Sequence, residues 1–189
     1  MREFELLTSI LHDDFLCKGE EENVLIENQG CEHQEQRIYI VNKVRSISRM
    51  SLYRFDEKTS GKDFLPFFNN HNHAPVDLRS FCDYILLVEC NGRLYIMLIE
   101  LKRGSKTGYT KQIEGSLCFM EYVVSSAVRI QHYNNFDDFD KGNIEFRRIV
   151  IQQCDSIKEK THPNEFDNVK NSYIRIRYFS DFRPVQVIF

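Results

Sequence analysis

The chain predicts an α/β (α+β) domain built on a mixed central β-sheet flanked by helices. Three observations carry that prediction. Residues 81–102 (FCDYILLVECNGRLYIMLIELK) hold two apolar runs on either side of Asn91-Gly92, a dipeptide that favours a two-residue type I′ hairpin because both central positions need φ > 0. Ile113, Leu117, Met120 and Val124 then recur at helical steps, the signature of a helix with one buried face. Short β-branched and aromatic runs lie before and after this pair. The order helix, strands, hairpin, helix, strands fits a layered mixed sheet.

From the N-terminus, residues 2–16 predict an amphipathic helix, with Phe4, Leu7, Leu11 and Phe15 along one stripe and Leu6 and Ile10 widening it. Residues 18–22 are a polar break. Residues 23–28 (NVLIEN) and 37–42 (RIYIVN) predict short strands joined by the acidic, Gln-rich loop around Gly30. Residues 43–55 carry Val44, Ile47, Met50 and Leu52 without a clean period, and strand and helix both stay open there. Residues 57–75, with Gly61, Pro66, Asn69, Asn70 and Asn72, predict a loop.

With Asn91 and Gly92 as the turn, counting outward along the hairpin sets Asp83 directly opposite Glu100. Lys102 points to the same face, since strand side chains alternate. Ile85, Leu87, Ile96 and Leu98 line that face; Tyr84, Leu86, Val88, Met97 and Ile99 line the other. Strands apolar on both faces are covered on both sides. Residues 103–110 are rich in Gly, Ser and Thr. The helix after them starts near Lys102, with Gln112 and Ser116 flanking its apolar stripe, so its N–H groups and dipole suit a phosphate. Residues 146–152 (FRRIVIQ) predict a strand, and residues 155–171, with Pro163, a loop or short helix. Residues 173–178 alternate Ile174 and Ile176 with Arg175 and Arg177, a half-buried strand near the sheet edge. Residues 184–189 add a last strand.

Asp83 opposite Glu100 breaks the apolar pattern. Directly opposed Cβ atoms are about 5 Å apart, where two negative charges at an effective dielectric near 20 repel by roughly 3 kcal/mol. One acid must hold a proton, or a cation must lie between them. A hard divalent ion with oxygen ligands resolves the conflict, and Lys102 adds a charge suited to a phosphate. The competing arrangement, a structural ion cluster in which Lys102 neutralises one acid, leaves the other uncompensated and desolvated.

Asp83 on one strand with Glu100-x-Lys102 on the next resembles the PD-(D/E)xK nuclease superfamily. The likeness runs over residues 81–128 and includes Gln112, at a position many of these nucleases fill with Gln. Cys82 replaces the proline of the literal motif, and Pro75 with Asp77 offers an alternative first acid outside the strand register. The resemblance implies a restriction-endonuclease-like core over about residues 76–180, elaborated by residues 1–75 within one domain spanning 1–189. It implies Mg²⁺ or Mn²⁺ held by Asp83, Glu100 and the backbone carbonyl of Leu101. Lys102 and Gln112 would serve the attacking water or the phosphate. The implied reaction is phosphodiester hydrolysis, of DNA before RNA, leaving 5′-phosphate and 3′-hydroxyl ends. Restriction, repair, recombination and defence against mobile DNA are the family's usual settings. Sequence choice falls to residues 20–80, to a second copy of the chain or to a partner protein.

A length of 189 residues suffices for one domain with a real core, and a net charge of −3 announces no nucleic-acid binder by itself. The distribution says more. Residues 13–36 hold eight acids against Lys18 alone, whereas residues 37–55 hold Arg37, Lys43, Arg45, Arg49 and Arg54 with no acid. Residues 101–111 repeat the bias with Lys102, Arg103, Lys106 and Lys111. Arg45, Arg49, Arg103, Lys106 and Lys111 are the candidates for nucleic-acid contact; solvated basic faces are the plainer alternative. The 6 cysteines show no CxxC spacing, and Arg2, Glu3 and Glu5 interrupt any signal peptide. Reduced thiols, a cytoplasmic setting and no membrane partner are expected. Cys82, Cys90 and Cys118 read as small core residues. His71-Asn72-His73 lacks the helix of a ββα-metal site, and His12, Cys17, Cys31 and His33 fit no usual zinc spacing. A non-catalytic nucleic-acid or protein-binding module is the competing functional class.

Overall fold

A computed structural model of the chain describes residues 2–29, 34–41, 47–55, 81–103, 109–133, 140–154, 165–166, 173–179 and 185–188. Helix α1 (Arg2–Ile10) is followed by strands β1 (Val24–Gln29), β2 (Gln34–Val41), β3 (Ile47–Arg54), β4 (Tyr84–Cys90) and β5 (Arg93–Arg103). Helix α2 (Tyr109–Tyr133) leads to β6 (Ile144–Cys154), β7 (Glu165–Phe166), β8 (Tyr173–Phe179) and β9 (Val185–Ile188). The strands form a six-stranded sheet, β3-β4-β5-β6-β8-β7, and a three-stranded sheet, β1-β2-β9. The chain is thus a mixed α+β structure.

The hairpin sets the frame. Asn91 (φ 51) and Gly92 (φ 75) both lie in the left-handed region that a type I′ turn demands. The ladder runs from Cys90↔Arg93 to Tyr84↔Ile99. β5 and β6 are parallel, so a crossover must join them, and α2 is that crossover. β3 pairs antiparallel with β4, which settles the open reading in favour of a strand over Ile47–Arg54; residues 43–46 lie outside the described residues. The period of β3 is blurred because side chains on both faces meet protein: Tyr53 joins one core and Leu52 the other.

Both helices cover one face of the large sheet. Phe4, Leu7 and Leu11 from the N-terminal segment and Ile113, Leu117, Met120, Val123, Val124 and Ala127 from α2 pack on Ile85, Leu87, Leu94, Ile96 and Leu98. Burying the α2 stripe is worth on the order of 10 kcal/mol before chain entropy is charged against it. The opposite face is covered by the small sheet: Leu25, Ile38 and Ile40 meet Leu52, Tyr84, Leu86, Ile99 and Leu101. Tyr84 ties the layers together, its hydroxyl accepting the Ile26 N–H at 2.8 Å and donating to the Ile26 carbonyl at 3.1 Å.

Several expectations are corrected. The first helix stops at Ile10 and does not reach residue 16. The His12 side chain accepts the Asp14 N–H and caps a separate 3-10 turn, Asp13–Phe15, and Leu16 then bridges to Tyr53. Ile10 is exposed, and so is Cys118, which therefore is not a core residue. Two other expectations hold: β8 lies near the sheet edge, with only the two-residue β7 outside it, and a last strand, β9, is present and joins β2 in the small sheet. The loop around Gly30, residues 57–75 and most of residues 155–171 lie outside the described residues, as do His33, His71 and His73. No helix among the described residues is long and apolar enough to cross a membrane.

Candidate functional site

β4 and β5 stop pairing one residue before the acids. In the regular ladder, odd-numbered β5 residues exchange backbone hydrogen bonds with β4, and the pair after Tyr84↔Ile99 would join Cys82 to Leu101. That pair does not form. The chain bends at Asp83, and the Cys82 N–H donates to the Ser116 hydroxyl on α2 at 2.8 Å. The Leu101 N–H donates to Asp83 Oδ2 at 2.6 Å. Glu100 Oε2 accepts from the Asp83 N–H at 3.3 Å. Each carboxylate therefore takes a backbone N–H from the other's strand. The Asp83 carbonyl accepts from Phe55 N–H at 3.2 Å, which ties the bend to β3 as well.

Asp83 is half-buried, whereas Glu100 is 0% exposed. Burial, and then the charge of Asp83, raise the Glu100 carboxyl from the usual 4.5 to about 8; Lys102 and the Asp83 N–H oppose the rise. Lys102 Nζ forms an ion pair with Glu100 Oε1 and donates to Gln112 Oε1 at 2.9 Å. The cluster sits at the C-terminal end of β5, the usual ligand position in sheets of this construction. Burial pushes the neighbouring Cys82 thiol far up, so it stays protonated.

The first turns of α2 hold this end of the sheet at three points. Gln112 meets Lys102 of β5, Glu114 accepts from Arg148 Nε of β6 at 2.9 Å, and Ser116 takes the Cys82 amide. These positions precede and interleave the apolar stripe, so packing of the stripe fixes where the polar groups land.

The sequence-derived candidates thus divide. Asp83, Glu100, Lys102 and Gln112 converge, and Leu101 joins them through its backbone. Lys111 is exposed on the first turn of α2, and Arg103 ends β5. Arg45 and Lys106 lie outside the described residues. Arg49 is elsewhere. It aligns with Glu89 at the hairpin end of the sheet, about 20 Å from Asp83 at strand rise. There it pairs with Glu89 and with Glu5 of α1 and lies 5.0 Å from the Phe4 ring centroid. It pins the first helix to the sheet. Its signal in the sequence was Glu89, a lone acid on the helix-facing side of an apolar strand. Among the described residues no third His, Cys, Asp or Glu completes a metal-binding group. No family model, curated protein or solved structure matches the chain.

Proposed function

We propose that the chain is a Mg²⁺- or Mn²⁺-dependent nuclease of the PD-(D/E)xK type that hydrolyses phosphodiester bonds of DNA, on a restriction-endonuclease-like core. The observation that carries this reading is the meeting of Asp83 with a fully buried Glu100 at the end of β5. The charge of Asp83 adds to burial in raising the Glu100 carboxyl, and a divalent cation between the two acids would relieve that conflict. The donors fit the ion. They are hard oxygens, few in number, as suits Mg²⁺, which keeps several waters of its own. Asp83 and Glu100 would hold it together with the Leu101 carbonyl.

When bound, the ion supplies Lewis-acid polarisation of a phosphodiester oxygen and makes a bound water more acidic. Lys102 brings its ammonium to the phosphate as negative charge builds there. Gln112 keeps that ammonium in place through the hydrogen bond to Oε1. Arg103 at the end of β5, Lys106 after it and Lys111 on the first turn of α2 contact the nucleic-acid backbone in this reading. Sequence choice is assigned to a second copy or a partner protein, and the setting to restriction, repair or defence against mobile DNA.

Supercoiled plasmid incubated with the purified chain, with Mg²⁺ and with chelator, tests the reading. Cutting that requires Mg²⁺ and is lost in Asp83→Ala and Lys102→Met is the expected result. Metal-independent retention of DNA without cutting would replace the enzyme with a binding module.

A further inference from the structure

The β4–β5 ladder opens at the residues the proposed nuclease needs, and there a residue outside the acid cluster, Ser116, accepts the Cys82 amide. Within a strand, the N–H and C=O of one residue face the same neighbour. The Leu101 N–H faces β4, since it reaches Asp83 Oδ2, so the Leu101 carbonyl faces the same side. In a continuing ladder its donor would be the Cys82 N–H. That N–H is 2.8 Å from the oxygen of Ser116, which is itself 0% exposed. Ser116 sits one helical turn after Gln112, on a segment of α2 fixed by Ile113 and Leu117 in the core.

We propose that Ser116 is a positioning residue: by taking the Cys82 amide it ends the ladder one pair early, releases the Leu101 carbonyl toward the acid pair and lets Asp83 bend onto the Leu101 N–H. The proposal rests on the metal-site reading above. It gives α2 a double task, since one turn of the helix orders the β5 ammonium through Gln112 and the β4 backbone through Ser116. Without the hydroxyl, the buried Cys82 N–H either loses its partner or returns to the Leu101 carbonyl. Both outcomes remove an oxygen or its alignment from the cation.

Mn²⁺ affinity of the full chain, read by electron paramagnetic resonance and calorimetry without nucleic acid, tests this. Ser116→Ala should bind Mn²⁺ on the order of tenfold more weakly than wild type, with an unchanged fold by circular dichroism. Ser116→Thr, which keeps the hydroxyl, should recover most of the affinity. In wild type, Mg²⁺ should shift the Leu101 carbonyl ¹³C resonance in saturable fashion, a readout that stands even if Ser116→Ala fails to fold. Unchanged affinity in Ser116→Ala, or a Leu101 carbonyl blind to Mg²⁺, overturns the proposal while leaving a cutting, metal-binding wild type intact. A wild type that binds no Mn²⁺ at millimolar concentration overturns it together with the metal site.

Discussion

Replacing Glu100 with glutamine should make the metal-free protein more stable, by an amount that grows with pH. The side chain is fully buried, and its carboxyl titrates at about 8 in the fold against 4.5 ordinarily. A raised carboxyl pKa means the folded chain holds a proton that the unfolded chain has released, so wild-type stability falls as pH rises through that window. The slope is about 1.4 kcal/mol per pH unit, and the accumulated cost at pH 7 is about 3 kcal/mol. Glu100→Gln removes it without changing shape. Urea unfolding of both proteins in chelator, from pH 4 to pH 8.5, should therefore give matching stabilities near pH 4 and curves that diverge above pH 5. Addition of Mg²⁺ should then stabilise wild type at pH 8 and leave Glu100→Gln unmoved, because only the ionised acid pair attracts the cation. Parallel curves across the range, or equal response of both proteins to Mg²⁺, would refute the claim that Asp83 and burial set the charge state of Glu100.

Three further outcomes follow from the packing. Tyr84→Phe leaves the buried Ile26 N–H without its hydroxyl partner and should cost about 1–3 kcal/mol in urea unfolding, with amide exchange rising first in β1 and β2. Arg49→Met removes the guanidinium paired with Glu89, whose side chain is 10% exposed, and should cost about 3 kcal/mol at neutral pH. Its affinity for DNA should stay at the wild-type value, and Glu89→Leu in the same chain should restore the stability. Gly92→Ala meets no atom within 4 Å but must hold φ near +75, so its cost should be pure backbone strain, about 1–2 kcal/mol, measured as a fall in melting midpoint with the hairpin register intact.

Much of the fold is legible in the chain because its strongest signals are local. Asn91-Gly92 fixes the hairpin register through φ alone, and that register, which runs to Tyr84↔Ile99, brings Asp83 beside Glu100. The stripe from Ile113 to Val124 likewise declares its helix and its buried face. Where the signal depends on a partner it fades. Residues 43–55 look aperiodic because both faces of β3 are covered, by two different cores. Arg49 looks like a free cation because its acids, Glu5 and Glu89, are distant in the sequence. Cys118 looks like a core residue until α2 is rotated by its stripe, which leaves the thiol in water.

Local backbone chemistry by itself thus determined the ribbon, the following helix and the opposition of two acids. Only the tertiary structure decided that a second sheet covers the far face, that β9 leaves the main sheet, and that Ser116 intercepts the Cys82 amide. These outcomes turn on contacts between segments far apart in the chain, whose energies depend on burial and alignment that no short stretch of residues encodes.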